Sequence, residues 1–171
     1  ACGRAAKALG DLDGARVRFR EASDFIDLLI EWVPERKEFR EDRTAVLEEW
    51  NSTLELAEQD EAGDVRGAVR EHAEVLDRLV QVDPESREYL EGLWLALDRC
   101  GAFEDGERDA ARAWHRQALE VADRLRAMAP DDRLALLSWL TSVEHLQDLD
   151  DEGIDDRVLQ AAFETAATLT E

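Results

Sequence analysis

The sequence predicts an all-α fold of about four antiparallel helical hairpins. Three observations carry this. Pro34, Pro84 and Pro130 stand 50 and 46 residues apart. Each follows the same short pattern, Asp27-Leu28-Leu29, Asp77-Arg78-Leu79 and Asp123-Arg124-Leu125, with the last leucine five positions before the proline. Ala, Leu, Glu and Arg dominate a chain with one tyrosine and three prolines, which favours helix over strand.

The segments before the prolines, 12–33, 62–83 and 105–129, read as the second helices of the first three hairpins. Eight positions before each proline stand Ile26, Leu76 and Ala122. Near eleven or twelve before stand Ala22 and Ser23, His72 and Ala73, Ala118 and Leu119. Fifteen before come Phe19, Val69 and His115, and nineteen before come Ala15, Val65 and Ala111. Steps of three and four draw one mostly apolar stripe along each helix. Proline then stops the helix, because it disfavours a helical residue before it and has no N–H to donate.

The segments after the prolines, 35–60, 84–101 and 131–149, read as the first helices of the next hairpins. Five after come Phe39, Tyr89 and Ala135, and nine after come Arg43, Leu93 and Trp139. Thirteen after come Leu47, Leu97 and Val143, and sixteen after come Trp50, Cys100 and Leu146. Arg43 is the polar exception in these columns. A short helix over 1–9 opens the first hairpin, and one over 154–170 closes the last. Both ends read as cut inside a repeating array, so residues 1–171 are taken as a single repeat domain within a longer chain.

Between the two helices of each hairpin lies an acidic, glycine-containing turn: GDLDGA (10–15), QDEAGD (59–64), FEDGER (103–108) and DLDDEG (148–153). Asp can cap the following helix, and negative charge in its first turn meets the positive end of the helix dipole. The stretch DLDDEGIDD (148–156) therefore reads as the fourth copy of a turn. It also fails as a calcium loop, because the twelfth position, which should be a bidentate Glu, is Leu159.

The formal charge of −21 repels phosphates and anionic headgroups, which argues against nucleic-acid and membrane partners. A basic partner is compatible. No apolar run approaches the ~20 residues that span a bilayer. Cys2 and Cys100 form no CxxC pair, which fits a reducing, cytoplasmic setting.

The hairpin stripes running to a proline, in ALGDLDGARVRF near the start and QALEVADRLRAMAPDD (117–132), resemble tetratricopeptide-like repeats. The period of 46 to 50 is longer than the ~34 of the standard repeat. Long-period variants of this kind resemble repeats of bacterial multidomain signalling and defence proteins, where they follow nucleotidase or protease domains. The resemblance implies a right-handed α-solenoid that binds a peptide or protein in a concave groove lined by the first helices. It carries over no catalytic residue.

The residues themselves suggest no enzyme either. There is no GxSxG elbow, no GxxxxGK[ST] or GxGxxG loop, and no HExxH or Glu-x-x-His motif. His72 and His115 fall on the apolar stripes of second helices and His145 on a first helix, so they read as core or half-buried histidines. Cys100 reads as a small hydrophobe. No catalytic residue, metal or cofactor is expected.

Trp94 and Trp139 lie ten and nine positions after their prolines, both on first helices. Packing between hairpins is the usual use of such rings, and an aromatic anchor for a partner is the functional alternative. The expected partner-binding set is Trp94, Trp139, Tyr89, Glu88 and Glu91. The expected function is a protein-interaction scaffold or sensing module. The alternatives are a structural spacer or oligomerisation segment contacting adjacent domains or a sister chain, and a non-catalytic regulatory domain of a larger signalling or defence NTPase or protease.

Overall fold

The computed structural model describes residues 2–59, 64–104, 106–149, 154 and 156–169. Among them are eight α-helices and no strand: α1 (Cys2–Ala8), α2 (Leu12–Trp32), α3 (Lys37–Ala57), α4 (Val65–Val82), α5 (Arg87–Ala102), α6 (Arg108–Met128), α7 (Arg133–Asp148) and α8 (Asp156–Leu169). The chain divides into two compact units, Ala1–Pro84 and Glu85–Glu171. Within each unit, every helix packs against the next in sequence.

The three proline joints share one local geometry. Val33, Asp83 and Ala129, each just before a proline, leave the helical region together at φ −139°, −131° and −142° with ψ 67°, 88° and 77°, since a proline disfavours a helical predecessor. Their N–H groups donate to the carbonyls of Leu29, Leu79 and Leu125, the recurrent leucines of the sequence pattern. The next helix begins three residues after each proline, later than the sequence suggests. At Ser86 and Asp132 a side chain explains the start, accepting from the N–H of Tyr89 and of Ala135. Arg36, at the equivalent place before α3, makes no such bond.

Two of the acidic turns cap as expected, while Glu107, the N-cap of α6 in the third, makes no side-chain cap bond. Asp11 accepts from the N–H of Gly14, and Asp64 from that of Gly67. A Cβ on either glycine would lie about 2 Å from the capping carboxylate as it is placed here, so a side chain there would require the Asp to shift. Gly10 and Gly106 take positive φ, 78° and 85°, where other L-residues are strained. Most of the second turn and of DLDDEGIDD (Asp60–Gly63, Asp150–Gly153 and Asp155) lies outside the described residues.

The sequence columns form the cores. In the first unit Ala15, Phe19, Leu47, Trp50, Leu54, Val69 and Leu76 are buried; in the second, Leu93, Leu97, Cys100, Ala118, Ala122, Trp139, Val143 and Leu146 are. Arg43, the polar exception, meets Asp27 of α2 at 2.7 Å. The first unit also buries the carboxylate of Glu71 on α4, which is 5 % exposed. It takes Arg16 Nη2 at 2.6 Å and Arg20 Nη2 at 2.9 Å from α2, and Trp50 Nε1 at 2.8 Å from α3. A buried carboxylate is tolerable only with such charge-assisted partners, and here they join three helices.

Candidate functional site

Three places in the two units combine shape or chemistry with access. The first is a groove of about 1090 Å³ in the first unit. Its walls are α1 and α3, two helices that the hairpin pattern assigns as first helices, and α2 is its floor. Phe19, Ala22 and Val46 supply apolar lining. Four carboxylates, Glu21, Asp42, Glu48 and Glu49, face two arginines, Arg4 and Arg18. Arg18 is engaged by Glu21 at 2.9 Å, and Arg4 lies 3.7 Å from Glu49.

The floor continues along α2. Arg18, Ala22, Phe25, Leu29 and Trp32 recur at steps of four, three, four and three, which keeps them on one helix face. Phe25 is 60 % exposed, Trp32 74 % and Leu28 is exposed beside them. One exposed apolar residue is ordinary, but two aromatic rings and a leucine on one face form a patch that an interaction would cover. The i, i+3, i+7 spacing of Phe25, Leu28 and Trp32 was readable in the sequence, which nevertheless directs attention to the core-facing stripe.

The second place is the α5–α7 surface holding the expected partner-binding set. The structure brings Trp94 and Trp139 together, but for packing. Trp139 is 3 % exposed, with the Arg126 guanidinium 4.1 Å from its ring centroid. Half-buried Trp94 packs against the Ala122, Trp139 and Val143 cluster, and its Nε1 donates to Ser142 Oγ at 3.0 Å. The Trp139 ring is therefore closed to a partner, its cluster being covered by Trp94 of α5, Leu119 of α6 and Val158 and Leu159 of α8. Glu88 is exposed, Tyr89 half-buried, and Glu91 accepts from Arg87, which also pairs with Asp132 at 2.8 Å.

The third place was not legible as a site in the sequence. Asp98 of α5, His115 of α6 and His145 of α7 converge, each offering a ligand atom within 4.8 Å of the others. His145 Nδ1 meets Asp98 Oδ1 at 2.8 Å. His115 Nδ1 lies 3.3 Å from the same oxygen, but out of line, and this buried nitrogen has no hydrogen-bond partner. The two rings stand 4.5 Å apart between centroids. Burial pushes the Asp98 carboxyl up, but the His115 and His145 imidazoles beside it more than offset that and hold it below its ordinary value.

Gly101 makes room for this arrangement. A Cβ there would lie 2.4 Å from His115 Nε2. His115 and His145 also line an open pocket of about 300 Å³ with Glu104 and Asp148. The three residues are 17 and 30 positions apart, so no local motif marks them. The one available signal is His115 itself, standing in the column that holds Phe19 and Val69 in the other repeats.

Comparison with protein-family models finds no match, and comparison with curated proteins finds none.

Proposed function

We propose that this chain is a non-catalytic protein-interaction module that holds a basic amphipathic helix or peptide in the groove between α1 and α3. The observation that carries the proposal is the exposure of Phe25, Leu28 and Trp32 on the helix that lines the groove, where helical spacing sets Phe25 and Trp32 on the same side as the lining residues Arg18 and Ala22. Aromatic anchors beside an acidic rim suit a ligand with an apolar stripe and Lys or Arg flanks. The charge of −21 favours a basic ligand and disfavours phosphate-rich ones. No described helix is long and apolar enough to cross a membrane.

In the fuller form of this reading, the four hairpins are tetratricopeptide-like repeats stacked as a right-handed solenoid. The module then serves a cytoplasmic, bacterial-type scaffold or a regulatory segment of a larger signalling or defence protein. The alike proline joints and the matching core columns support the repeat reading.

The test is a fluorescence titration with amphipathic helical peptides of equal hydrophobicity carrying Lys or Glu flanks. The Lys series binds more tightly, weakens with salt, and loses affinity about 10-fold or more in Phe25→Ser/Trp32→Ser, each anchor being a candidate hot spot. Equal binding of both series, or binding unaffected by the double substitution, rejects the proposal.

A second reading rests on the same exposed face: Phe25, Leu28 and Trp32 pack on a neighbouring domain or a sister chain. Light scattering across a concentration series separates the two, since only self-association raises the mass of the chain alone.

A further inference from the structure

The geometry points to a transition-metal site formed by Asp98, His115 and His145, with Zn²⁺ as the fitting ion. Two imidazoles and one carboxylate are a borderline ligand set that suits Zn²⁺, Co²⁺ or Ni²⁺. Ca²⁺ and Mg²⁺ prefer all-oxygen surroundings.

The distances are those of a site close to assembly. Tetrahedral Zn²⁺ with ligands at about 2.0–2.2 Å sets neighbouring ligand atoms about 3.4 Å apart. His115 Nδ1 and Asp98 Oδ1 already stand at 3.3 Å. His145 Nδ1 and the same oxygen stand at 2.8 Å, a hydrogen bond that an ion would replace after a retreat of about half an ångström.

An independent observation also points to a ligand. His115 is 5 % exposed, and its Nδ1 is directed at Asp98 without a hydrogen-bond partner. Leaving a buried imidazole nitrogen unsatisfied costs free energy, and a bound cation removes that cost. The opposite edge of the ring abuts Gly101, where a side chain would displace it, so α5 fixes the direction in which Nδ1 points. The adjoining pocket of about 300 Å³, lined by His115 and His145, gives water or a ligand side chain a way to these two rings. The charges lining it are mixed, Glu104 and Asp148 with Arg108.

The chain has 42 acidic residues, so weak surface binding of cations must be separated from this site. The experiment uses chelator-treated protein in excess Mg²⁺, which occupies surface carboxylates, titrated with Co²⁺ and followed by visible absorption. One equivalent binds with the intense bands of four-coordinate cobalt. His145→Ala, at a half-buried position, and Asp98→Asn each weaken binding by more than about 100-fold, beyond the loss typical of groups that only support a ligand. A second measurement needs no variant. In long-range ¹H–¹⁵N spectra of the histidine rings, added Zn²⁺ shifts His115 and His145 and leaves His72 in place. Absence of stoichiometric Co²⁺ uptake by the unaltered chain, uptake unchanged in both variants, or ring signals of His115 and His145 that ignore Zn²⁺ each overturn the assignment.

Discussion

The imidazole of His115 lies against the backbone of Gly101 so closely that a methyl group on Gly101 would sit 2.4 Å from Nε2. Glycine inside a helix ordinarily costs about 1 kcal/mol relative to alanine, so Gly101→Ala should stabilise α5 if propensity alone decided. The opposite is expected, because the methyl would strike the His115 ring, which is 5 % exposed and packed against α5. Overpacking costs about 1–3 kcal/mol. The expected result is a net loss of about 1–2 kcal/mol, read from the denaturant midpoint. A gain in stability would show that the ring relocates freely.

Glu71 and Trp50 give a prediction about rank. Glu71→Ala removes a buried carboxylate from two arginines and an indole and should cost about 3–5 kcal/mol. Trp50→Phe removes one hydrogen bond and leaves Glu71 with both arginines, so about 1–2 kcal/mol is expected. Urea denaturation of the two variants checks the order. A larger loss in Trp50→Phe would mean that the indole, not the ion pairs, joins the helices.

Trp94 offers a cleaner separation of packing from binding. Trp94→Phe keeps most of the ring against the Trp139 cluster and gives up the bond to Ser142 Oγ. It should cost about 1 kcal/mol and leave peptide affinity at the α1–α3 groove unchanged. Peptide affinity that falls while the melting temperature stays put would move the binding surface to α5 and α7.

The exposed face of α2 predicts the reverse pattern. Phe25→Ser/Trp32→Ser should change stability by no more than about 0.5 kcal/mol per site, since both rings are more than half exposed. Association with peptide, or with a second copy, should drop. Thermal melts and light scattering on the same samples read the two effects separately.

Asp132 gives a pH dependence whose sign is fixed. The Ala135 N–H, then the Arg87 guanidinium, hold its carboxyl below the ordinary value in the folded state. A depressed folded value stabilises fully above the unfolded value of about 3.9 and fades as pH falls through the folded value. The melting temperature of the wild-type chain should therefore exceed that of Asp132→Asn by a constant amount above about pH 5, and the gap should narrow on acidification. A gap that widens toward acid would rule out the ionised cap.

What the sequence determined by itself is the one-dimensional part of the fold. The three prolines set the joints, the leucines five positions before them supply the accepting carbonyls, and Asp-x-x-Gly marks two helix starts. The columns through Phe19, Leu47, Trp50, Leu97 and Leu146 fall in the cores because burial along a helix follows from its period alone. The tertiary structure decided which polar and aromatic groups meet across helices. Trp139 is enclosed by its neighbours, Glu71 is buried under arginines from another helix, and Asp98, His115 and His145 converge from three helices. Those encounters depend on how neighbouring helices are rotated and shifted against each other. A turn of about one residue, ~100°, carries a side chain from one neighbour to another without altering the pattern of the stripe. That is why the frame was legible in the chain, and the candidate metal site was not.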